Sequence, residues 1–164
     1  MRKALFFIGV LVLTNLLAGC SKDKDENPLI GKWESDIVTE TFYGRSSSLN
    51  VKGQETFTFY ADKKVEYFAV KPVPHTLEGT YTTQGPSLAM TFTIPGSEEP
   101  FVYGPGWIFP INLLSGESCL ATVTKQTYQV NGDNLTIELT ADAPFQKETT
   151  YVLKTVYRRV KITE

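Results

Sequence analysis

Few residues in this chain have the chemistry of a catalyst. Its 164 residues include one histidine, His75, the side chain most often used as a general base near neutral pH. His75 lies in a proline-rich stretch that predicts a solvated loop, and no zinc-protease, CxxC, nucleophile-elbow or phosphate-loop motif occurs. The pair Glu98-Glu99 lies in a proline-flanked turn, and a carboxylate pair assembled across strands is the remaining alternative. We therefore expect the protein not to be an enzyme.

The clearest chemistry belongs to Cys20, which closes the quartet Leu17-Ala18-Gly19-Cys20. This quartet resembles the lipobox of bacterial lipoproteins, in which the cysteine thiol accepts a diacylglyceryl group. Small Gly19 allows a signal peptidase to cleave before Cys20, and acyl chains such as palmitate then hold the protein on a membrane. The preceding apolar run is too short to span a bilayer, so residues 1–19 are predicted to be a lipoprotein signal peptide. The alternative is an ordinary secretory signal with a chance cysteine.

Residues 20–28 are predicted to form the lipidated cysteine and a flexible, acidic tether. Ser21 is not the aspartate that favours inner-membrane retention in many Gram-negative bacteria, so the outer membrane is predicted. The run from Ser21 to Glu26 is similar to the acidic signal that sends Bacteroidota lipoproteins to the cell surface, which is favoured over the periplasmic face. Cys119 is then the remaining thiol and is expected to be buried and inert.

The net charge and the small number of metal-ligating side chains argue against nucleic-acid binding and against a metal site. The chain has 16 Lys and Arg against 18 Asp and Glu, a net charge of −2. It therefore has no basic excess to neutralise phosphates, and nucleic-acid binding is not expected. One histidine and two cysteines leave little material for a metal site, and no motif predicts a cofactor. Hydrophobic residues make up 41% and charged residues 21%, as in ordinary globular domains.

Residues 29–164 are predicted to form an all-β domain, because short β-rich runs alternate with turn residues. The predicted strands are Gly31–Tyr43, Gln54–Tyr60, Val65–Val70, Leu77–Thr83, Ser87–Ile94, Phe101–Tyr103, Cys119–Val130, Leu135–Thr140 and Thr149–Lys161. Loops are expected at Arg45–Gly53 and Lys71–Thr76. Successive hairpins favour an antiparallel up-and-down barrel of eight or nine strands, since closure removes exposed edges. A two-sheet sandwich is the alternative.

The two ends of this domain resemble a known superfamily. Gly31-Lys32-Trp33 opens the first strand, and Arg159 lies near the end of the last, on the face that period two assigns to Tyr151 and Tyr157. A Gly-x-Trp followed by a basic residue on the last strand resembles the lipocalin (calycin) superfamily. The resemblance implies that Trp33 closes one end of the barrel with the Arg159 guanidinium over its indole. Together with the lipobox and tether, the pattern is similar to the lipocalin-like lipoproteins of Bacteroidota.

The predicted inward positions are rich in aromatic residues and methionine. The candidates for ligand contact are Phe57, Phe59, Tyr67, Tyr81, Met90 and Phe92. In one interpretation they line an apolar calyx that holds a small hydrophobic ligand. In the other they fill the core of the barrel.

The segment Phe101–Leu114 is unusually apolar for a connection between strands. Trp107 and Phe109 are expected at the barrel mouth as further ligand candidates. The alternatives are a buried strand with Pro110 at its edge, or a patch that docks a protein partner at the cell envelope. The leading prediction is a membrane-anchored lipocalin-like lipoprotein that binds a small hydrophobic ligand. The alternative is a non-enzymatic accessory lipoprotein of a cell-surface complex, with a filled barrel that binds through its loops.

Overall fold

The computed structural model describes residues 27–112, 118–142 and 150–161. Within them the chain forms eleven β-strands. They are β1 Gly31–Phe42, β2 Arg45–Asn50, β3 Glu55–Phe59, β4 Lys64–Ala69, β5 His75–Gln84, β6 Ser87–Thr93, β7 Phe101–Tyr103, β8 Ile108–Asn112, β9 Ser118–Asn131, β10 Asn134–Asp142 and β11 Thr150–Arg159. The signal peptide, Cys20 and most of the tether lie outside the described residues.

Eight of the strands close into an antiparallel up-and-down barrel. The hydrogen-bonded order is β6-β5-β4-β3-β1-β11-β10-β9. The barrel closes between β9 and β6, where Ser87 pairs with Thr127 and the Tyr128 N–H donates to the Pro86 carbonyl at 2.8 Å. This closure and both hydrophobic clusters are built from residues 29–159. That part of the chain therefore contains a complete barrel, and the predicted fold class is confirmed over the sandwich.

Two further strands widen the barrel at one end. Strand β7 pairs with β6 and strand β8 pairs with β9, so both lie in the gap that opens beyond Ser87 and Thr127. The turn between β7 and β8 is tied to β9, because Gly106 N–H donates to Val123 O and Val123 N–H donates to Trp107 O, both at 2.8 Å. The segment with Trp107 is therefore part of the barrel wall.

Three local predictions were wrong or incomplete. The loop expected at Arg45–Gly53 contains strand β2, which makes a hairpin with β1. Tyr43 and Gly44 both have positive φ, 52° and 69°, as a type I′ turn requires. Serines in β2 hydrogen-bond threonines in β1, including Thr39 with Ser48 at 2.9 Å.

His75 is likewise not in a loop. It is the first residue of β5 and pairs with Ala69. The segment Phe101–Leu114 contains strands β7 and β8, and Pro110 lies in β8, at the end of the sheet order. Leu113 and Leu114 lie outside the described residues, as do the side chains of Phe109 and Cys119.

The interior has two packed regions. The larger is a cluster at the end of the barrel marked by Trp33. Its fully buried members are Leu29, Trp33, Phe57, Phe59, Val65, Tyr81, Leu88, Met90, Phe92, Leu135, Ile137 and Tyr157. A smaller cluster around Val123, Leu139 and Tyr151 lies towards the opposite end and packs against Trp107 and Leu153. The space bounded by these two regions is left partly unfilled.

Candidate ligand-binding cavity

The floor of the barrel is built around Trp33, whose side chain has no exposed surface. Its indole Nε1–H donates to the Leu29 carbonyl at 2.8 Å. The Arg159 guanidinium carbon lies 4.2 Å from the centre of the indole ring, a cation–π arrangement, and the two residues are register partners on β1 and β11. Together they close this end of the barrel.

The Arg159 guanidinium also holds the segment that precedes β1 against the barrel. It donates to the carbonyls of Ile30 at 2.9 Å and Pro28 at 2.8 Å. Gly31 has a φ of +129°, and a Cβ at this position would lie 2.8 Å from an Arg159 nitrogen. Only glycine therefore fits the close approach without displacing the arginine. The structure thus brings Gly31, Trp33 and Arg159 together.

A cavity of about 440 Å³ lies inside the barrel beyond this packed floor. Its size falls within the roughly 300–1,000 Å³ of small-molecule sites. Six aliphatic or aromatic hydrocarbon side chains line it: Val38, Val51, Leu77, Ile94, Phe101 and Leu153. Tyr67, Tyr103, Trp107 and His75 add rings with polar atoms, and Gln54, Glu55 and Thr155 complete the wall. Because His75 and Ile94 are exposed, the cavity opens to solvent beside them.

The charged residue of the wall, Glu55, is hydrogen-bonded through its backbone to Ser35, which lies beside an irregularity in β1. The pairing of β1 with β11 shifts register between Ser35 and Ile37. The buried Ser35 hydroxyl donates to the Val51 carbonyl at 2.7 Å and accepts the Glu55 N–H at 3.0 Å. Glu55 begins β3 at this point, on the same face as Phe57 and Phe59. Its carboxylate consequently faces the cavity.

Two tyrosines surround this carboxylate. The Tyr67 hydroxyl donates to Glu55 Oε1 and the Tyr157 hydroxyl donates to Oε2, each at 3.2 Å. Burial, followed by the charge of Glu55, raises the pKa of Tyr67 above its ordinary value. Burial also raises the pKa of Tyr157, with Tyr103 and Glu55 as further causes. Both phenols therefore stay protonated and act as donors at neutral pH.

Aromatic rings from the β7–β8 segment form another part of the wall. Tyr103 and Trp107 stack with ring centres 4.8 Å apart, and Phe101 meets Trp107 edge-on at 5.7 Å. All three are half-buried. The β7–β8 segment thus supplies a continuous aromatic surface to the cavity.

The eight residues predicted to contact a ligand lie at different depths inside the barrel. Tyr67 and Trp107 line the cavity. The other described candidates lie in the packed floor, with 0–1% of their surface exposed, and are not among the lining residues: Phe57, Phe59, Tyr81, Met90 and Phe92. These five residues therefore pack in the core of the barrel, as in the second of the two interpretations. The backbone of Phe109 pairs with Ala121 in β8, and its side chain lies outside the description.

Sequence reasoning missed Glu55 and Tyr103 as wall residues. The signal for Glu55 was present, because period two places it on one face with Phe57 and Phe59. A charged residue on an otherwise apolar inward face is uncommon, and it therefore indicates a functional role. Tyr103 carried no comparable signal, since a three-residue strand shows no periodicity.

A second concave site differs from this cavity, because it is a more open surface depression. A depression of about 760 Å³ beside β4 and β5 is lined by charged residues that include Asp62, Lys64 and Glu78. Lys64 already pairs with Asp62 at 3.0 Å, and both are largely exposed. Among the residues described, no cluster of histidine, cysteine and acidic side chains could hold a metal ion. Nor does this part of the chain contain a helix with the length and apolarity to cross a membrane.

The closed eight-stranded up-and-down barrel is a lipocalin-like fold. No protein-family model and no curated protein matches the sequence. Among solved structures, a lipocalin-like protein from Bacteroides uniformis shares 14% identity with a TM-score of 0.43, over 82% of this chain and 100% of that one. The ywiB protein from Bacillus subtilis shares 9% identity with a TM-score of 0.41, over 80% and 93% of the two chains. These likenesses carry no information about the ligand.

Proposed function

We propose that the protein is a membrane-anchored lipocalin-like lipoprotein that binds a small hydrophobic molecule inside its barrel. The observation that carries this proposal is the cavity of about 440 Å³ with apolar and aromatic walls. A barrel filled along its whole length would favour the accessory role, in which the loops do the binding. A cavity open beside His75 and Ile94 favours the role of a binder.

Titration with the uncharged fluorophore N-phenyl-1-naphthylamine tests the binding proposal, using residues 21–164, which contain the complete barrel. The wild-type protein should raise the fluorescence of the probe with saturation. Trp107→Ala should weaken binding by about tenfold, because it removes a large aromatic contact from the cavity wall. Neighbouring Ile108 is 56% exposed and does not line the cavity, so Ile108→Ala is the matched control and should bind as the wild type does.

A wild-type protein that leaves the fluorescence of the probe unchanged would overturn the proposed function. Equal affinities in the wild type and Trp107→Ala would place the bound probe somewhere other than this cavity. Far-UV circular dichroism of each variant distinguishes loss of binding from loss of the fold.

The membrane anchor rests on the lipobox, with Cys20 as the lipidated residue, and the predicted location is the outer membrane with the cell surface favoured. Cells grown with an alkyne analogue of palmitate should label the wild-type protein and the Cys119→Ala control. Cys20→Ala should lose the label completely, because it lacks the acceptor thiol. Protease added to intact cells should degrade the protein if it faces outwards. Label retained in Cys20→Ala would refute lipidation at this residue.

A further inference from the structure

Glu55 is the one carboxylate among the cavity's lining residues, and that set contains no lysine or arginine. The ion pairs between described residues join Lys64 to Asp62, Arg158 to Asp36, and Arg159 and Lys161 to Asp133, and none of them includes Glu55. A half-buried carboxylate without a protein cation in a concave site is the kind of group that binding sites maintain. The cavity is therefore set up for a ligand that supplies positive charge.

The carboxylate retains hydrogen-bonding capacity for such a ligand. Tyr67 uses one lone pair on Oε1 and Tyr157 uses one on Oε2. An ionised carboxylate has about four acceptor positions. Two positions therefore remain, and the two phenols fix the orientation of the group in advance. A ligand donor that reaches Glu55 does not have to break either tyrosine contact.

The aromatic part of the cavity wall adds to the preference for a cation. Tyr67, Phe101, Tyr103 and Trp107 all present aromatic rings to the cavity. Aromatic faces carry negative electrostatic potential and attract ammonium groups, most strongly in a desolvated site. The same rings and the aliphatic residues between them fit an apolar ligand body. An anionic ligand such as a fatty acid would meet the charge of Glu55 without a compensating cation.

We infer that the cavity binds an organic cation, a compact apolar or aromatic molecule whose protonated amine donates to Glu55. This inference rests on the proposed function and names the chemical class of its ligand. It assigns Glu55 as the residue that determines specificity for charge. Tyr67 and Tyr157 act as positioning residues that hold the carboxylate.

Three matched probes test the inference by displacing N-phenyl-1-naphthylamine at pH 7. Tryptamine carries an ammonium group, 3-ethylindole is neutral and indole-3-propionate is anionic, while the indole body is the same. Tryptamine should bind at least about tenfold more tightly than 3-ethylindole, which corresponds to about 1.4 kcal/mol. Indole-3-propionate should bind the weakest of the three.

Glu55→Gln should abolish the preference for tryptamine over 3-ethylindole and leave the affinity for 3-ethylindole within about twofold of wild type. Glu78→Gln removes the same charge from an exposed position on β5 and should keep the preference, which excludes an effect of net charge alone. Fluorescence of the naphthylamine probe bound to Glu55→Gln reports that the cavity is intact. Equal binding of the three probes to the wild type, or a preference that survives Glu55→Gln, overturns the inference while the proposed function stands. Failure of the naphthylamine probe itself to bind overturns the proposed function instead.

Discussion

Replacing Trp33 with alanine should lower the free energy of unfolding by about 3–5 kcal/mol, the range for truncating a large buried aromatic side chain. Trp33 is fully buried, and its removal leaves a void at the closed end of the barrel. It also leaves the Leu29 carbonyl without its indole donor and the Arg159 guanidinium without its ring. Because β1 and β11 pair at this residue, the loss also weakens the contact between the first and last strands.

Urea unfolding followed by far-UV circular dichroism measures this loss without depending on tryptophan fluorescence. Arg159→Ala should also destabilise the barrel, since two backbone carbonyls and the Trp33 ring lose their partner. The matched control is Arg158→Ala, an exposed residue paired with Asp36 at 2.8 Å, for which a loss of about 1 kcal/mol or less is expected. If Trp33→Ala unfolds at the wild-type urea concentration, Trp33 does not close the barrel.

The sequence predicts well which residues face the interior of the barrel. Leu135, Ile137 and Leu139 alternate along β10, and all three are buried as period two predicts. The pairing of Trp33 with Arg159 was implied by the resemblance to the lipocalin superfamily, and period two selected Arg159 rather than Arg158 as the inward partner. The alternation of faces along a strand contributes to both inferences.

Depth inside the barrel was not predictable in the same way. Phe57 and Phe59 face inwards as expected, but they lie in the packed floor, whereas Tyr67 reaches the cavity. Height along the barrel depends on strand tilt and on the stagger between strands, which a single sequence does not encode locally. Strand β2 was missed for a different reason: all its residues are exposed, so no apolar alternation marks it.

The site around Glu55 shows why polar constellations are harder to predict than cores. Its partners Tyr67 and Tyr157 are 12 and 102 positions away along the chain. Only the order of the strands and their register bring the three together. Period two carried a signal for the inward orientation of Glu55, whereas its hydrogen bonds required the assembled barrel.

The buried tyrosines at this site predict that the barrel loses stability at alkaline pH. A phenol in the unfolded chain ionises with a pKa of about 10. In the folded protein burial raises the pKa of Tyr157, and burial also raises that of Tyr103. Their contribution to stability is complete below pH 10 and is lost as the pH rises towards the folded-state pKa, because only the unfolded state then releases the proton. Well above pH 10 each such tyrosine steepens the decline by about 1.4 kcal/mol per pH unit, and at pH 10 by about half as much.

A comparison of Tyr157→Phe with the wild type isolates the contribution of the Tyr157 phenol, because the lysines titrate in the same way in both proteins. At pH 7 the variant should be less stable by about 1–2 kcal/mol, because the hydrogen bond to Glu55 is lost. Between pH 10 and pH 11 its stability should fall less steeply than that of the wild type, by about 1 kcal/mol over this pH unit, so the two curves converge. Urea unfolding at pH 7, 9, 10 and 11 measures both slopes. Parallel curves across this range would mean that the Tyr157 phenol ionises equally readily in the folded and unfolded chains, and the protonated donor to Glu55 would have to be abandoned.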